Sequence, residues 1–319
     1  MTLDSYFHRR HQRGLRRWWR KSVIARATAG WQHNSFPKAV SDVMIFCNNY
    51  RTESNFMYVA HCGRGRATVA IVVALLLSSA RAQNVVRVGP GQAIKSISVA
   101  AATAKDGDVI EVDAGEYRGD VAVWTKDNLT VRAVGGRVSL IAQGAAAEGK
   151  AIWVVRGGRM MVKGLDFSGA RVRDKNGAGI RFESGTLTVS DCTFTNNENG
   201  ILTGGNPKAE LVVINSEFGH NGHGDGQSHN LYVGAIASLS VSGSYFHHAK
   251  VGHLLKTRAA VNHILYNRLT DETGGRASYE LELPNGGLAY VIGNIIQQGS
   301  QTENPHLVSY GAEVTSGQL

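Results

Sequence analysis

A short apolar unit that ends in a large apolar residue returns about every 25 positions along the second half of the chain. Its instances are Met161-Val-Lys-Gly-Leu-Asp-Phe167, Leu187-Thr-Val-Ser-Asp-Cys-Thr-Phe194, Leu211-Val-Val-Ile-Asn-Ser-Glu-Phe218, Leu239-Ser-Val-Ser-Gly-Ser-Tyr-Phe246, Ile264-Leu-Tyr-Asn-Arg-Leu269 and Ala289-Tyr-Val-Ile-Gly-Asn-Ile-Ile296. Their ends are spaced 27, 24, 28, 23 and 27 residues apart. A period this regular, with short strands punctuated by Gly and Asn, means one solenoid turn per repeat. Strand alternation puts Leu187, Val189, Leu239 and Val241 on one side and Thr188, Ser190, Ser240 and Ser242 on the other. Turns stacked about 4.8 Å apart bury the first set in ladders and let each backbone group bond to the turns above and below. The expectation is an all-β, single-stranded parallel β-helix of about eight or nine coils over residues 83–319. Glycine agrees with so many turns: 38 of 319 residues, against a usual ~7%.

The entrance to this array has its own signal. Ile94, Ile97, Ala101 and Ala104 recur at helical spacing within Gly91–Ala104, so a short amphipathic helix is expected to cover the first coil. It leads into Asp106-Gly-Asp-Val-Ile-Glu-Val-Asp-Ala-Gly-Glu-Tyr117. This segment resembles the opening of pectin-lyase-like right-handed parallel β-helix proteins, in which a capping helix precedes a GD-x-I-x-V-x-x-G-x-Y strand. The resemblance spans about Gln83 to Glu313 and implies the right-handed fold. It does not fix an activity, because the fold hosts lyases, hydrolases, epimerases and adhesins. The exit, Tyr310 to Leu319, carries no helix or polar terminal repeat. An open edge is expected there, paired with a partner or belonging to a truncated reading frame.

Charge separates a leader from this body. Residues 1–66 hold twelve Lys and Arg against Asp4, Asp42 and Glu53, which accounts for the whole net charge of +9. The other 253 residues carry 22 bases and 22 acids. A folded surface without excess positive charge argues against a nucleic-acid partner. Ala67 to Leu77 is uncharged and apolar, follows Arg64 and Arg66, and precedes Ala80 and Ala82 at the −3 and −1 positions of a cleavage box. That is the layout of a secretory signal, with Gln83 as the mature start. The alternative is a buried strand or an uncleaved anchor; the apolar core is short of the ~20 residues that a span needs. Starting at Met57 gives the signal an ordinary length, so residues 1–56 read as a non-native or disordered basic leader, 57–82 as the signal peptide and 83–319 as the β-helix. The expected location is secreted or periplasmic, with no stable membrane span after cleavage. Only Cys192 then remains, so no internal disulfide is available.

Chemistry-bearing residues cluster late in the chain. Seven histidines (His220, His223, His229, His247, His248, His253 and His263) fall within 44 residues. Counting back about 14 from the repeat ends places Asn230–Val233, His253–Lys256 and Glu280–Leu283 on one stack, with Tyr232, Lys256 and Glu282 in one outward row. The segment from Leu254 through Lys256, Arg258, Asn262 and Asn267 to Leu269 resembles the K-S-x-x-N-x-x-x-x-N-x-F coil of the alginate lyase and chondroitinase B family. The resemblance implies that Lys256 abstracts the proton α to a uronate carboxylate, with a cation holding the enolate-like charge. The family's arginine-bearing L-x-L-R-H-G coil is here Tyr279-Glu-Leu-Glu-Leu-Pro-Asn-Gly286, so Arg258 or His253 is expected to stabilise charge or supply a proton. The acidic calcium ligands of that family are replaced by Val251-Gly252-His253, so no cofactor is expected; Ca²⁺, without those acidic ligands, is the alternative. Gly222-His223-Gly224 matches the G-H-G of polygalacturonases, but the paired carboxylates of inverting hydrolysis are missing.

The candidate catalytic residues are therefore Lys256, Arg258 and His253. His223, Asp225, His229, Asn230, Tyr232, Glu280 and Glu282 are expected to line a substrate groove. The competing reading is that the Asn, Ser and His residues form ladders that complete turn hydrogen bonds. The expected partner is an extracellular polysaccharide, most specifically a polyuronate, acted on by β-elimination or epimerisation. The alternatives are a non-catalytic adhesive solenoid and a truncated, inactive relative.

Overall fold

The computed structural model describes residues 83–314 together with two strands in the N-terminal part, and the chain divides into compact units at 1–78 and 79–319. In the first unit Asp42–Cys47 pairs antiparallel with Phe56–His61. This hairpin runs through Met57. The apolar stretch 67–77, the cleavage box and the Arg-rich leader lie outside the described residues.

The second unit is a parallel β-helix of about eight coils, each laying one strand into each of three parallel stacks. The first stack runs from Val85–Val88 to Leu288–Ile292. Its strands share one register, which puts Ile110, Val131, Val162, Val189, Val213, Val241 and Ile264 directly above one another. All seven are fully buried. In the second stack the same logic aligns Leu140, Phe167, Phe194, Phe218, Phe246 and Leu269. The four phenylalanine rings lie face to face at 4.9, 4.8 and 4.7 Å between centroids. The repeat visible in the sequence is thus the vertical spacing of these two ladders. Trp124 and Trp153 extend the second ladder's core downward, edge-to-face with each other and with Phe167.

Left-handed backbone makes the corner between the first two stacks. Gly164, Asp191, Asn215, Gly243, Tyr266 and Gly293 all have φ between +49 and +79°, a region open to Gly and tolerated by Asn and Asp. One residue on, the corner amides are satisfied vertically: Cys192 N–H donates to Ser216, Ser216 N–H to Ser244, Ser244 N–H to Asn267 and Asn267 N–H to Asn294. A second ladder closes the next corner, with the Asn197 amide donating to Asn221 Oδ1 and the Asn221 amide to Asn230 Oδ1. Cys192 is enclosed, and burial pushes its thiol up to about 11. It serves packing and not chemistry.

The entrance helix is Ile97–Thr103, shorter than the periodicity implies. Gly89-Pro90-Gly91 turns back on itself, with Gln92 N–H donating to Gly89 O, and Ile94 bridges to Val88. Ile97, Ala100 and Ala101 face the first coil. Asp120 accepts from the Ile97 and Ser98 amides at 2.5 and 2.9 Å, capping the helix from a distant loop. At the other end the last coil exposes Leu288, Ile292, Ile295, Val308 and Tyr310.

Candidate functional site

The third stack carries the site. Its strands include Ala122–Trp124, Asn199–Thr203, Leu231–Val233, Leu255–Thr257, Leu281–Leu283 and Val308–Tyr310. Leu231 and Val233 in one strand and Leu255 and Thr257 in the next are fully buried, so the residue between each pair faces outward. The outward row reads Arg181, Leu202, Tyr232, Lys256, Glu282, Ser309. The counted row Tyr232–Lys256–Glu282 is therefore present, and it continues downward to Arg181.

Three charged groups meet in the upper part of the row. Glu282 Oε2 lies 2.7 Å from Lys256 Nζ and 2.8 Å from His253 Nε2. Burial alone would push the Glu282 carboxyl up, but the opposing contacts of His253 and Lys256 outweigh it and bring it down to about 2. The His253 amide donates to His229 Nδ1 at 2.9 Å, so the His229 proton sits on Nε2. His229 is buried beneath the row. Burial first, then the charges of His253, Lys256 and Arg258, hold it well below the ordinary imidazole range. It packs edge-on to Tyr232 and, tilted, against His253. Lys256 also lies 5.8 Å from the Tyr232 ring centroid.

Arg258 is committed to structure. Its Nε donates to the Tyr232 hydroxyl at 3.2 Å and its Nη2 to Glu313 at 2.9 Å, with Asn285 as a further partner. The Glu313 hydrogen bonds hold the guanidinium firmly charged. Lys256, Arg258 and His253 are thus brought together, with Glu282 between the lysine and the histidine.

Below this group the surface opens into a cleft of about 540 Å³ lined by Asp174, Lys175, Arg181, Asp225, Gln227 and Tyr232. That is within the range of ligand-binding clefts. Asp225 and Tyr232 are where the sequence placed them. The 174–176 loop lies outside the repeat unit and gave no signal, whereas Arg181 sits in the strand Ala178–Ser190 at the same offset before Phe194 as Lys256 before Leu269, so the count that found Lys256 also reaches it. The Arg181 Nε is buried without a hydrogen-bond partner, and no carboxylate pairs with this guanidinium among the described residues.

Besides the buried His229, three expected groove residues sit elsewhere. Asn230 is fully enclosed in the corner ladder, its Nδ2 donating to His247 O at 2.8 Å; the ladder reading holds for it. Glu280 is also fully enclosed, with neither carboxylate oxygen hydrogen-bonded. Burial, reinforced by the Asp271 charge, pushes it up to about 8. Both residues lie where the chain bends into the strand, so the alternation that holds inside the strand does not reach them. His223 is exposed, its Nδ1 3.4 Å from Glu198.

No family model and no curated protein sequence matches the chain. Among solved structures it is similar to pectate lyase Pel9A, at 12% identity over 73% of this chain and 82% of that one, with a TM-score of 0.44. It is also similar to a pectin methylesterase variant in complex with a hexasaccharide, at 11% identity over 73% and 96% with a TM-score of 0.42. The pectin methylesterase from Aspergillus niger matches at 12% identity over 70% and 89%, with a TM-score of 0.35. The likeness is one of backbone winding.

Proposed function

We propose that the cleft and the row above it bind an acidic polysaccharide, a polyuronate above all, laid along the helix axis. The unpartnered guanidinium of Arg181 carries this reading. A buried donor without an acceptor costs stability, and a uronate carboxylate supplies the planar, bidentate partner that arginine fits best. Tyr232 offers a ring face to a sugar, and Lys175, Asp174, Asp225 and Gln227 offer polar contacts to hydroxyls. Export of the chain to meet such a polymer remains the expectation from its N-terminal sequence.

Isothermal titration with polygalacturonate, alginate and neutral galactan tests the reading. Binding to the acidic polymers that weakens as salt rises is expected, with none to galactan. Absence of binding to every acidic polymer, or equal binding to galactan, contradicts it.

A catalytic reading rests on the Lys256–Glu282–His253 group. A charged lysine is not a base, so β-elimination at Lys256 requires the substrate carboxylate to displace Glu282 and a proton to leave the amine. The His253 Nδ1, buried and unpartnered, lies in the same group. The reaction then passes the proton α to the uronate carboxylate to the Lys256 amine and expels the 4-linked oxygen, which takes a proton from His253 or water as it leaves, giving an unsaturated sugar. Unsaturated-uronate absorbance that appears with wild type and is lost by at least a hundredfold in Lys256→Ala is the expected signature. Binding without that absorbance leaves a non-catalytic binding solenoid.

A further inference from the structure

The second stack holds a histidine cluster that takes no part in the cleft. His220, His247 and His248 each place a ring nitrogen so that the three lie within 4.8 Å of one another. In the sequence His220 lies closest to His223 and His229. The fold separates those three and joins His220 to two residues one coil above.

The register explains the convergence. Gly219 pairs with His247 across adjacent coils, and His220 and His248 follow them at the same corner, both with left-handed backbone, φ +57 and +45°. Their rings stack at 4.7 Å. Gly219 supplies the room: a Cβ there would lie 2.2 Å from the His247 ring. The cluster thus depends on glycine in one coil beneath histidine in the next.

Ring orientation favours ligation. His247 Nε2 lies 3.2 Å from Glu217 Oε1, and its Nδ1 lies 2.7 Å from His248 Nδ1. A carboxylate that accepts from one ring nitrogen fixes the tautomer and turns the other nitrogen's lone pair outward, the usual support for a metal-bound imidazole. His220 is exposed and His248 half-buried, so a fourth position opens to solvent.

We infer that His220, His247 and His248 form a three-nitrogen site for a divalent transition metal of the zinc class, with Glu217 orienting His247. Three imidazoles and an open position suit Zn²⁺, Co²⁺, Ni²⁺ or Cu²⁺, whereas Ca²⁺ and Mg²⁺ prefer oxygen ligands. A bound ion would tie two successive coils together at their corner.

The test is titration of the full chain, stripped with EDTA, with Zn²⁺ by calorimetry and with Co²⁺ by visible absorption. The expected result is a saturable site that is lost in the doubly substituted His220→Ala/His248→Ala chain and kept in His223→Ala. Glu217→Gln is expected to weaken it by about 10–100-fold. Near-ultraviolet circular dichroism shows whether each variant is folded. His220 and His248 do not enter the core, so the doubly substituted chain is expected to fold as wild type does. Wild type without micromolar Zn²⁺ binding, or the same binding in wild type and the double variant, overturns the proposal. Unchanged affinity in Glu217→Gln removes its orienting part.

Discussion

Phe218→Ala is expected to destabilise the β-helix by about 3–5 kcal/mol, the range for removing a buried phenylalanine side chain. Phe218 is fully enclosed and lies between Phe194 at 4.8 Å and Phe246 at 4.7 Å. Truncation therefore leaves a void with an aromatic face above and below it. The void cannot collapse easily, because vertical hydrogen bonding fixes the coil spacing on either side. From the opposite stack Gly200 approaches the same ring: a Cβ built there would fall 2.8 Å from Phe218 Cδ1 and 2.3 Å from the Asn230 carbonyl. Nothing on that side can grow into the space. Phe218→Leu is the control, since leucine already fills this row at positions 140 and 269. It should cost less than half as much. Urea unfolding followed by circular dichroism checks both variants, and equal costs for the two would contradict this, showing that the ring stack and not the apolar volume restored by leucine carries the stabilisation.

The second large effect is a dependence of stability on pH centred on Glu280. In the folded chain this carboxyl holds its proton up to about 8, whereas its ordinary value is 4.5. Between those values the folded state binds the proton and the unfolded state does not, so stability falls as pH rises. The slope is at most about 1.4 kcal/mol per pH unit. Above about 8 both states are ionised and the loss is complete. His229, His220 and His247 act with the opposite sign, since their folded values are lowered. Their contribution is present above 6.5 and lost as pH falls below it. Glu282, brought down to about 2, contributes above 4.5 and loses its effect between 4.5 and 2. The window from 6.5 to 8 therefore isolates Glu280. Thermal unfolding of wild type should weaken across that window, while Glu280→Gln, neutral at every pH, should stay nearly level. Parallel profiles for the two chains would contradict the assignment.

How far these features were legible depends on which part of a coil they occupy. The Val/Ile and Phe ladders recur in sequence because one strand length and one two-residue corner are kept from Leu165 to Gln297, so the period survives. The Tyr232–Lys256–Glu282 row could be counted for the same reason. The loops that lead from the second stack to the third vary in length, and no counting carries across them. Hence the 174–176 wall was missed, and His220, close in sequence to His223, has His247 and His248 as its neighbours in space. Asn230 and Glu280 show a subtler failure: both immediately precede a strand whose alternation is correct, yet the bend turns their side chains inward. The lower coils, with Leu140 and Tyr117 in the phenylalanine row and Trp124 and Trp153 packing in from the third stack, kept the architecture while blurring the motif.

The outward face of the third stack is the proposed surface for an acidic polymer. Arg181→Ala and Lys163→Ala test it most directly, measured side by side against polygalacturonate by calorimetry at low salt. Lys163 is exposed on the first stack, where it neighbours Asp191 at 3.6 Å. Each variant loses one positive charge, so long-range attraction changes equally in both. The prediction is about a tenfold or greater loss of affinity for Arg181→Ala, as for a hydrogen-bonded charged contact, and little change for Lys163→Ala. Equal losses in the two, or undiminished binding by Arg181→Ala, would contradict it.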